Sequence, residues 1–269
     1  MKFLLVSLLC CLGISHVLSL TCEIEHESFG YSCLVANQEP ESSGEIAFIM
    51  KGANSGVSSN DIKQVEIKNT PITKIPSSIF ATFPNIEFLL LDNTRISNWN
   101  RETLKVQGIS KLLGLFVDNN PINHLKDDTF KHVPNLYLLR LFNSSITEIT
   151  PQAFNGLTEL TLLRLHQNKL TSIENGVFGS LKKLEELDLA RNQITALPTG
   201  LFSELKELKE LDLVSNQLTE IPKDIFKQNT KLNKLKLTEN ALKPIDATKL
   251  PASLTRLFVG KFESNLYIH

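Results

Sequence analysis

The sequence predicts an α/β solenoid: a right-handed coil, bent like a horseshoe, with parallel strands on its concave face and short turns or 3-10 segments on its convex face. Three observations predict it. A unit L-x-x-L-x-L-x-x-N-x-L-x-x-L-x-x-x-x-F-x-x-L recurs, with starts at Ile62, Ile86, Leu112, Leu136, Leu160, Leu184, Leu208, Leu232 and Leu254. A column of Asn, Thr or Ser runs through the same place in each unit, from Thr70 to Asn240. A second column holds Phe80, Phe130, Phe154, Phe178, Phe202 and Phe226, with Leu104 and Leu250 in the remaining units. A module of this size cannot bury its apolar side alone, so neighbouring modules must cover it.

Each part of the unit has a physical task. In "LDLARNQITALPTGLFSEL" the segment Leu187-Asp188-Leu189 alternates inward and outward as a short strand. Leu184, Leu187, Leu189, Ile194 and Leu197 are expected in the interior. Asn192 falls where the chain leaves the strand, and its amide can satisfy backbone groups with no other partner. Thr70, Thr94 and Ser144 put hydroxyls in that column, which reach less far, so those rungs are expected to be less rigid. Pro76, Pro198 and Pro222 favour extended or turn backbone on the convex side. Strands spaced ~4.8 Å apart against bulkier outer segments bend the array into an arc.

These motifs resemble the leucine-rich repeat family, in its 24-residue form. The resemblance spans residues 62–262, about nine units with the last truncated. Residues 20–61 then read as a cysteine-bearing N-terminal cap and 263–269 as a tail. "GYSCLV", "MKGANSGVSSNDI" and "VEI" resemble secreted insect members, and Toll-like ectodomains belong to the same family. The four-cysteine C-terminal cap of many members has no counterpart here, which points to a small soluble protein or to a partner packed on the last rung.

The opening stretch "MKFLLVSLLCCLGISHVLSL" has one Lys, an apolar run and small or polar residues, as a secretory signal does. Cleavage is expected near Ser19, giving a leader over 1–19 and a secreted, extracellular protein with no membrane span. Cys22 and Cys33 then remain, and an even pair in an exported chain predicts a disulfide. Asn143-Ser144-Ser145 is a glycosylation sequon at Asn143.

Chemistry is sparse. The sequence has no zinc-protease, nucleophile-elbow, P-loop or dinucleotide motif. His124 and His132 flank Asp127 and Asp128, but on an outer turn where polar residues are simply solvated. Asp188 and Asp212 share a column, yet an open sheet lacks the cleft that paired carboxylates need. The expectation is a non-enzyme without metal or cofactor. A net charge of −1 and a hydrophobic fraction of 42% argue against both disorder and a nucleic-acid partner.

Function is therefore expected on the outward strand positions. Phe88, Leu90, Phe116, Leu138, Phe142 and Leu162 fall on four adjacent rungs, beside Arg140, Arg164 and His166. Acidic rungs (Glu186, Asp188, Glu210, Asp212) and then basic ones (Lys234, Lys236, Arg256) follow. An apolar patch rimmed by charge marks an interaction site, and aromatic residues with Arg dominate binding hot spots. The expected occupant is an extracellular protein ligand or receptor. Alternatives are a microbial glycan or lipid in innate immunity, a secreted hydrolase to be inhibited, a second copy forming a homodimer, or self-covering of the patch by the N-terminal cap, an edge loop or the segment Asn98 to Gly108 with Trp99.

Overall fold

The computed structural model describes residues 18–27, 30–38, 46–51, 56–260 and 264–267. Residues 1–17, which carry most of the expected leader, lie outside the described residues, as do residues 52–55 of the Gly-rich segment and parts of the C-terminal tail.

The alternating segments form the strands β1 (Leu18–Glu27), β2 (Gly30–Ala36), β3 (Ile46–Lys51), β4 (Ile62–Lys68), β5 (Phe88–Asp92) and β6 (Gly114–Phe116). They continue as β7 (His124–Leu125), β8 (Leu138–Arg140), β9 (Glu148–Ile149), β10 (Leu162–Arg164), β11 (Glu186–Asp188) and β12 (Glu210–Asp212). The last are β13 (Lys234–Lys236), β14 (Arg256–Val259) and β15 (Ser264–Tyr267). Thirteen of them make one sheet in the order β3-β1-β2-β4-β5-β6-β8-β10-β11-β12-β13-β14-β15. From β2 to β14 every neighbouring pair is parallel; the β2–β4 pair shifts register between Tyr31 and Ser32, and from β4 on successive units stand in matching register. The first rungs therefore join the cap: β1 folds back antiparallel on β2, and β2 continues the ladder into β4. At the far end β15 lies antiparallel on β14. β7 and β9 pair separately on the flank of the coil.

The interior follows the repeat. Leu184, Leu187, Leu189, Ile194 and Leu197 are all buried, as are their counterparts in neighbouring rungs. Phe130, Phe154, Phe178, Phe202 and Phe226 stack face to face, with centroids 5.7, 6.1, 6.4 and 6.0 Å apart. Among the described residues helix is scarce: one α-turn (Ile79–Thr82) and three 3-10 turns. Cys22 and Cys33 form the expected disulfide between β1 and β2, fully buried.

The Asn column works as a set of backbone clasps. Asn192 Nδ2 donates to the carbonyls of Leu165 and Leu189 at 3.1 and 3.0 Å, while its Oδ1 accepts from the Leu170 N–H at 3.1 Å. Asn216 and Asn240 repeat the pattern one and two rungs on. The hydroxyl rungs borrow from their neighbours. Asn120 Oδ1 serves both the N–H and the hydroxyl of Thr94, and Asn168 Oδ1 serves the N–H groups of Ser144 and Ile146.

A second polar column stands just before the first. Asn37, Asn69, Asn93, Asn119, Asn143, Gln167, Arg191, Ser215 and Glu239 all take positive φ, between 48° and 60°. Asn tolerates this left-handed backbone better than most residues. In the N-terminal rungs the side chains also relay hydrogen bonds: Asn69 to Asn37 at 3.2 Å, Asn93 to Asn69 at 2.9 Å and Asn143 to Asn119 at 2.7 Å.

The irregular unit between Ile86 and Leu112 does not cover the concave face. Trp99 is 1% exposed, packs into the core, and donates its Nε1–H to the Ile96 carbonyl at 3.2 Å. Gly108, at φ 90°, lets this longer unit pass Phe80, where a Cβ would stand 2.8 Å from the Phe80 Cβ. The alternative in which Asn98 to Gly108 folds over the patch is thereby replaced by an insertion that feeds the interior.

Candidate binding face

Parallel pairing places the outward side chains in straight columns across the rungs. The first column reads Gln64, Phe88, Gly114, Leu138, Leu162, Glu186, Glu210, Lys234 and Arg256. The second reads Glu66, Leu90, Phe116, Arg140, Arg164, Asp188, Asp212, Lys236 and Phe258. Phe88, Leu90, Phe116, Leu138, Phe142, Leu162, Arg140, Arg164 and His166 thus share one stretch of one face, and each is half-buried.

Gly114 shapes this stretch. A Cβ there would lie 2.5 Å from the Phe88 ring and 3.3 Å from the Phe116 ring. The missing side chain is a notch into which Phe88 leans, and Tyr137, 39% exposed, meets Phe88 edge-on at 6.3 Å. Tyr137 extends the patch to the entry side of the strands, where the outward alternation gave no reason to look.

Asp118 is the other unanticipated member. Its side chain is only 6% exposed. It receives the Arg140 guanidinium through Nη2 and through Nε at 2.7 Å, and it accepts the Phe142 N–H at 3.1 Å. The same guanidinium lies over the Phe116 ring, 4.6 Å from its centroid. Arg140 is therefore fixed, with a carboxylate at its edge and an aromatic face beneath.

The next rung is looser. Arg164 stands 3.6 Å from Glu186 and 4.0 Å from Asp188, at ion-pair distance only. His166 tilts against Phe142, centroids 4.6 Å apart, with Nδ1 3.1 Å from Asp188 Oδ2. Burial pushes the Asp188 carboxyl up, but His166, the Ala190 N–H and Arg164 together hold it below its ordinary value.

The acidic and basic bands beyond are not separate. Lys236 binds Glu210 at 2.9 Å and Asp212 at 2.8 Å, and Lys234 binds Glu210 at 2.9 Å. Burial pushes the Lys236 ammonium down, yet these carboxylates raise it well above the ordinary lysine range. Burial pushes Glu210 up, and the two lysines more than reverse that. These charges are largely spent on one another. At the opposite end, burial raises the Glu66 carboxyl; Lys68 opposes this, while Asp92, Glu25 and Glu27 add to it.

Asn143 is exposed at the exit of β8, beside Phe142, with its Nδ2 bonded to Asn119. Among the described residues no three His, Cys, Asp or Glu side chains converge as metal ligands, and no helix is long and apolar enough to cross a membrane. His124 and His132 do not meet in a cluster there; His124 instead stands 3.8 Å from Glu148 on β9.

A solenoid of this register, clasped by an Asn column, defines a class of repeat protein whose open sheet face is a platform for binding. The family model for the leucine rich repeat matches residues 110–170, 158–218 and 206–260, together more than half of the chain, and the protein belongs to that family. No curated protein sequence matches it. Among solved structures, the TLR13–ssRNA13 complex is similar, at 25% identity and a TM-score of 0.62, over 75% of this chain. The chain spans about a third of that receptor's length, the match covering 33% of it. Internalin C2 from Listeria monocytogenes matches at 20% identity and a TM-score of 0.59, over 75% of this chain and 82% of its own, which shows the shared fold.

Proposed function

We propose that this is a secreted binding module that holds an extracellular protein ligand on its concave face, without catalysis and without a cofactor. The observation that carries the reading is the alignment of Phe88, Leu90, Phe116, Leu138, Phe142 and Leu162 on adjacent rungs, each half-exposed. Isolated exposed apolar side chains need no explanation, but a contiguous patch with aromatic and arginine members does. The register puts the rings and the fixed Arg140 within one surface, so little ordering is needed when a ligand docks.

Export through cleavage near Ser19 is part of the same proposal, and the buried Cys22–Cys33 bond is compatible with an oxidising compartment. Glycosylation at Asn143 would place sugar at the margin of the patch, next to Phe142, and limit the direction from which a ligand approaches.

The test is affinity capture from extracellular fluid with wild-type protein and with Phe116→Asp, both checked for unchanged strand content. Phe116→Asp should lose a partner that the wild type retains. Identical recovery by the two proteins would place the binding surface elsewhere.

A further inference from the structure

The two arginines in the centre of the face are chemically unequal, although they stand side by side in one column. Arg140 has its donors engaged by the buried Asp118 and its face covered by Phe116. It is part of the floor. Arg164 has no carboxylate at hydrogen-bond distance: Glu186 lies at 3.6 Å and Asp188 at 4.0 Å, and its side chain is 41% exposed. Asp188 is committed to His166 and the Ala190 N–H, and Glu186, itself exposed, stands off from the guanidinium beyond hydrogen-bond distance. A guanidinium whose fork makes ion pairs but no hydrogen bond, at the margin of an apolar patch, has the geometry to take a planar oxyanion.

We propose that Arg164 receives a carboxylate side chain of the ligand, while an apolar side chain of the same ligand segment packs over Phe116. This rests on the concave-face reading and specifies its partner: a polypeptide carrying an acidic residue near an aromatic or aliphatic one. Two rungs separate Arg164 from Phe116, about 10 Å. An extended ligand running across the rungs therefore places the acid two to four residues from the apolar anchor. A polyanion fits worse. Glu66 and Asp92 lie on one side of the patch and Glu186 and Asp188 on the other, so a chain of phosphates would meet carboxylates within a few rungs of Arg164. A single carboxylate meets Glu186 and Asp188 only where Arg164 offsets them, whereas a phosphate chain adds a charge at every step along the face.

A random peptide library displayed on phage, panned on immobilised protein, tests this without the natural ligand. On wild type the enriched peptides should combine Asp or Glu with Phe, Leu, Trp or Tyr at that spacing. Synthetic copies should bind Arg164→Gln about tenfold more weakly and Phe116→Asp not measurably, while Arg164→Gln melts at the wild-type temperature. Enriched peptides that lack acids, or that bind Arg164→Gln as tightly as wild type yet fail on Phe116→Asp, overturn the carboxylate role and leave the concave face standing. Peptides indifferent to both substitutions overturn the face itself. A labelled single-stranded oligonucleotide is the second probe: binding that disappears in Arg164→Gln would show that phosphate, not carboxylate, is the anion taken.

Discussion

At the scale of single residues, the centre of the binding face depends on a carboxylate that never reaches the surface. Asp118 holds Arg140 by two guanidinium nitrogens and also takes the Phe142 N–H. Removing it leaves a half-buried guanidinium and a backbone donor without partners, a combination that costs far more than the bridge itself contributes. Asp118→Ala is expected to lower stability by ~2–3 kcal/mol in urea unfolding. Arg140→Met strands the carboxylate of Asp118, the more buried of the two charges, and should cost at least as much. Two other carboxylates on this face respond to pH with opposite signs. Folding lowers Asp188 from 3.8, so its contribution is complete above that value and is lost as pH falls through the lowered one. Folding raises Glu66 from 4.5, so its ionised form opposes folding above the raised value, and the opposition vanishes below 4.5. Glu66→Gln should therefore stabilise the protein at neutral pH and have no effect at about pH 3. Asp188→Asn should destabilise it at neutral pH, with the effect fading in acid. Thermal melts across pH check both. Strand alternation made the outward positions of Phe88, Phe116 and Arg140 legible in the sequence. It did not reveal that Asp118, in an equally outward slot, turns back under Arg140, because the pattern gives a face and not a side-chain direction.

At the scale of the repeating element, stability is concentrated in the turn off each strand. Asn192 links three buried backbone groups from two successive rungs. Ser144 makes fewer such links: its single hydroxyl proton is shared between the Val117 carbonyl at 2.7 Å and the Phe142 carbonyl at 3.1 Å, and its N–H relies on Asn168. Asn192→Ala should therefore cost ~2–4 kcal/mol and Ser144→Ala ~1 kcal/mol, measured by denaturant unfolding. An equal cost would mean that the amide is no better a clasp than the hydroxyl. On the convex side, Phe178 is held between the rings of Phe154 and Phe202, so Phe178→Ala should cost ~3–5 kcal/mol. Both columns were legible because a fixed period repeats each position many times. The left-handed column of Asn69, Asn93, Asn119 and Asn143 was not, because its residue type changes to Gln, Arg, Ser and Glu further along, and only the backbone geometry is constant. Trp99 was misleading for the same reason in reverse: it occurs once, inside the irregular unit, where no period indicates its direction.

At the scale of the whole molecule, a solenoid is held together by contacts between neighbours, so the loss of one interface is felt mainly nearby. Pairs that join adjacent rungs on the outer surface, such as Lys183–Glu159 at 2.6 Å, Lys209–Glu185 at 2.6 Å and Lys231–Glu207 at 2.5 Å, are too exposed to add much cohesion. What closes the N-terminal end is covalent. The Cys22–Cys33 bond ties β1 to β2, and β2 carries the ladder into β4. The bond closes a short loop, 11 residues in sequence separation, so its loss is expected to cost ~2–3 kcal/mol, all of it at that end. Hydrogen exchange on the reduced protein is the informative measurement, because it reports protection strand by strand. Reduction should remove protection from β1, β2 and β4 first, while β10, β11 and β12, clasped by Asn168, Asn192 and Asn216, keep theirs. Partner or peptide binding at β6, β8 and β10 should then survive reduction under conditions where the first rungs have opened. Uniform loss of protection along all the strands would instead mean that the cap and the array unfold as one cooperative unit, and that the binding face depends on the disulfide as strongly as the cap does.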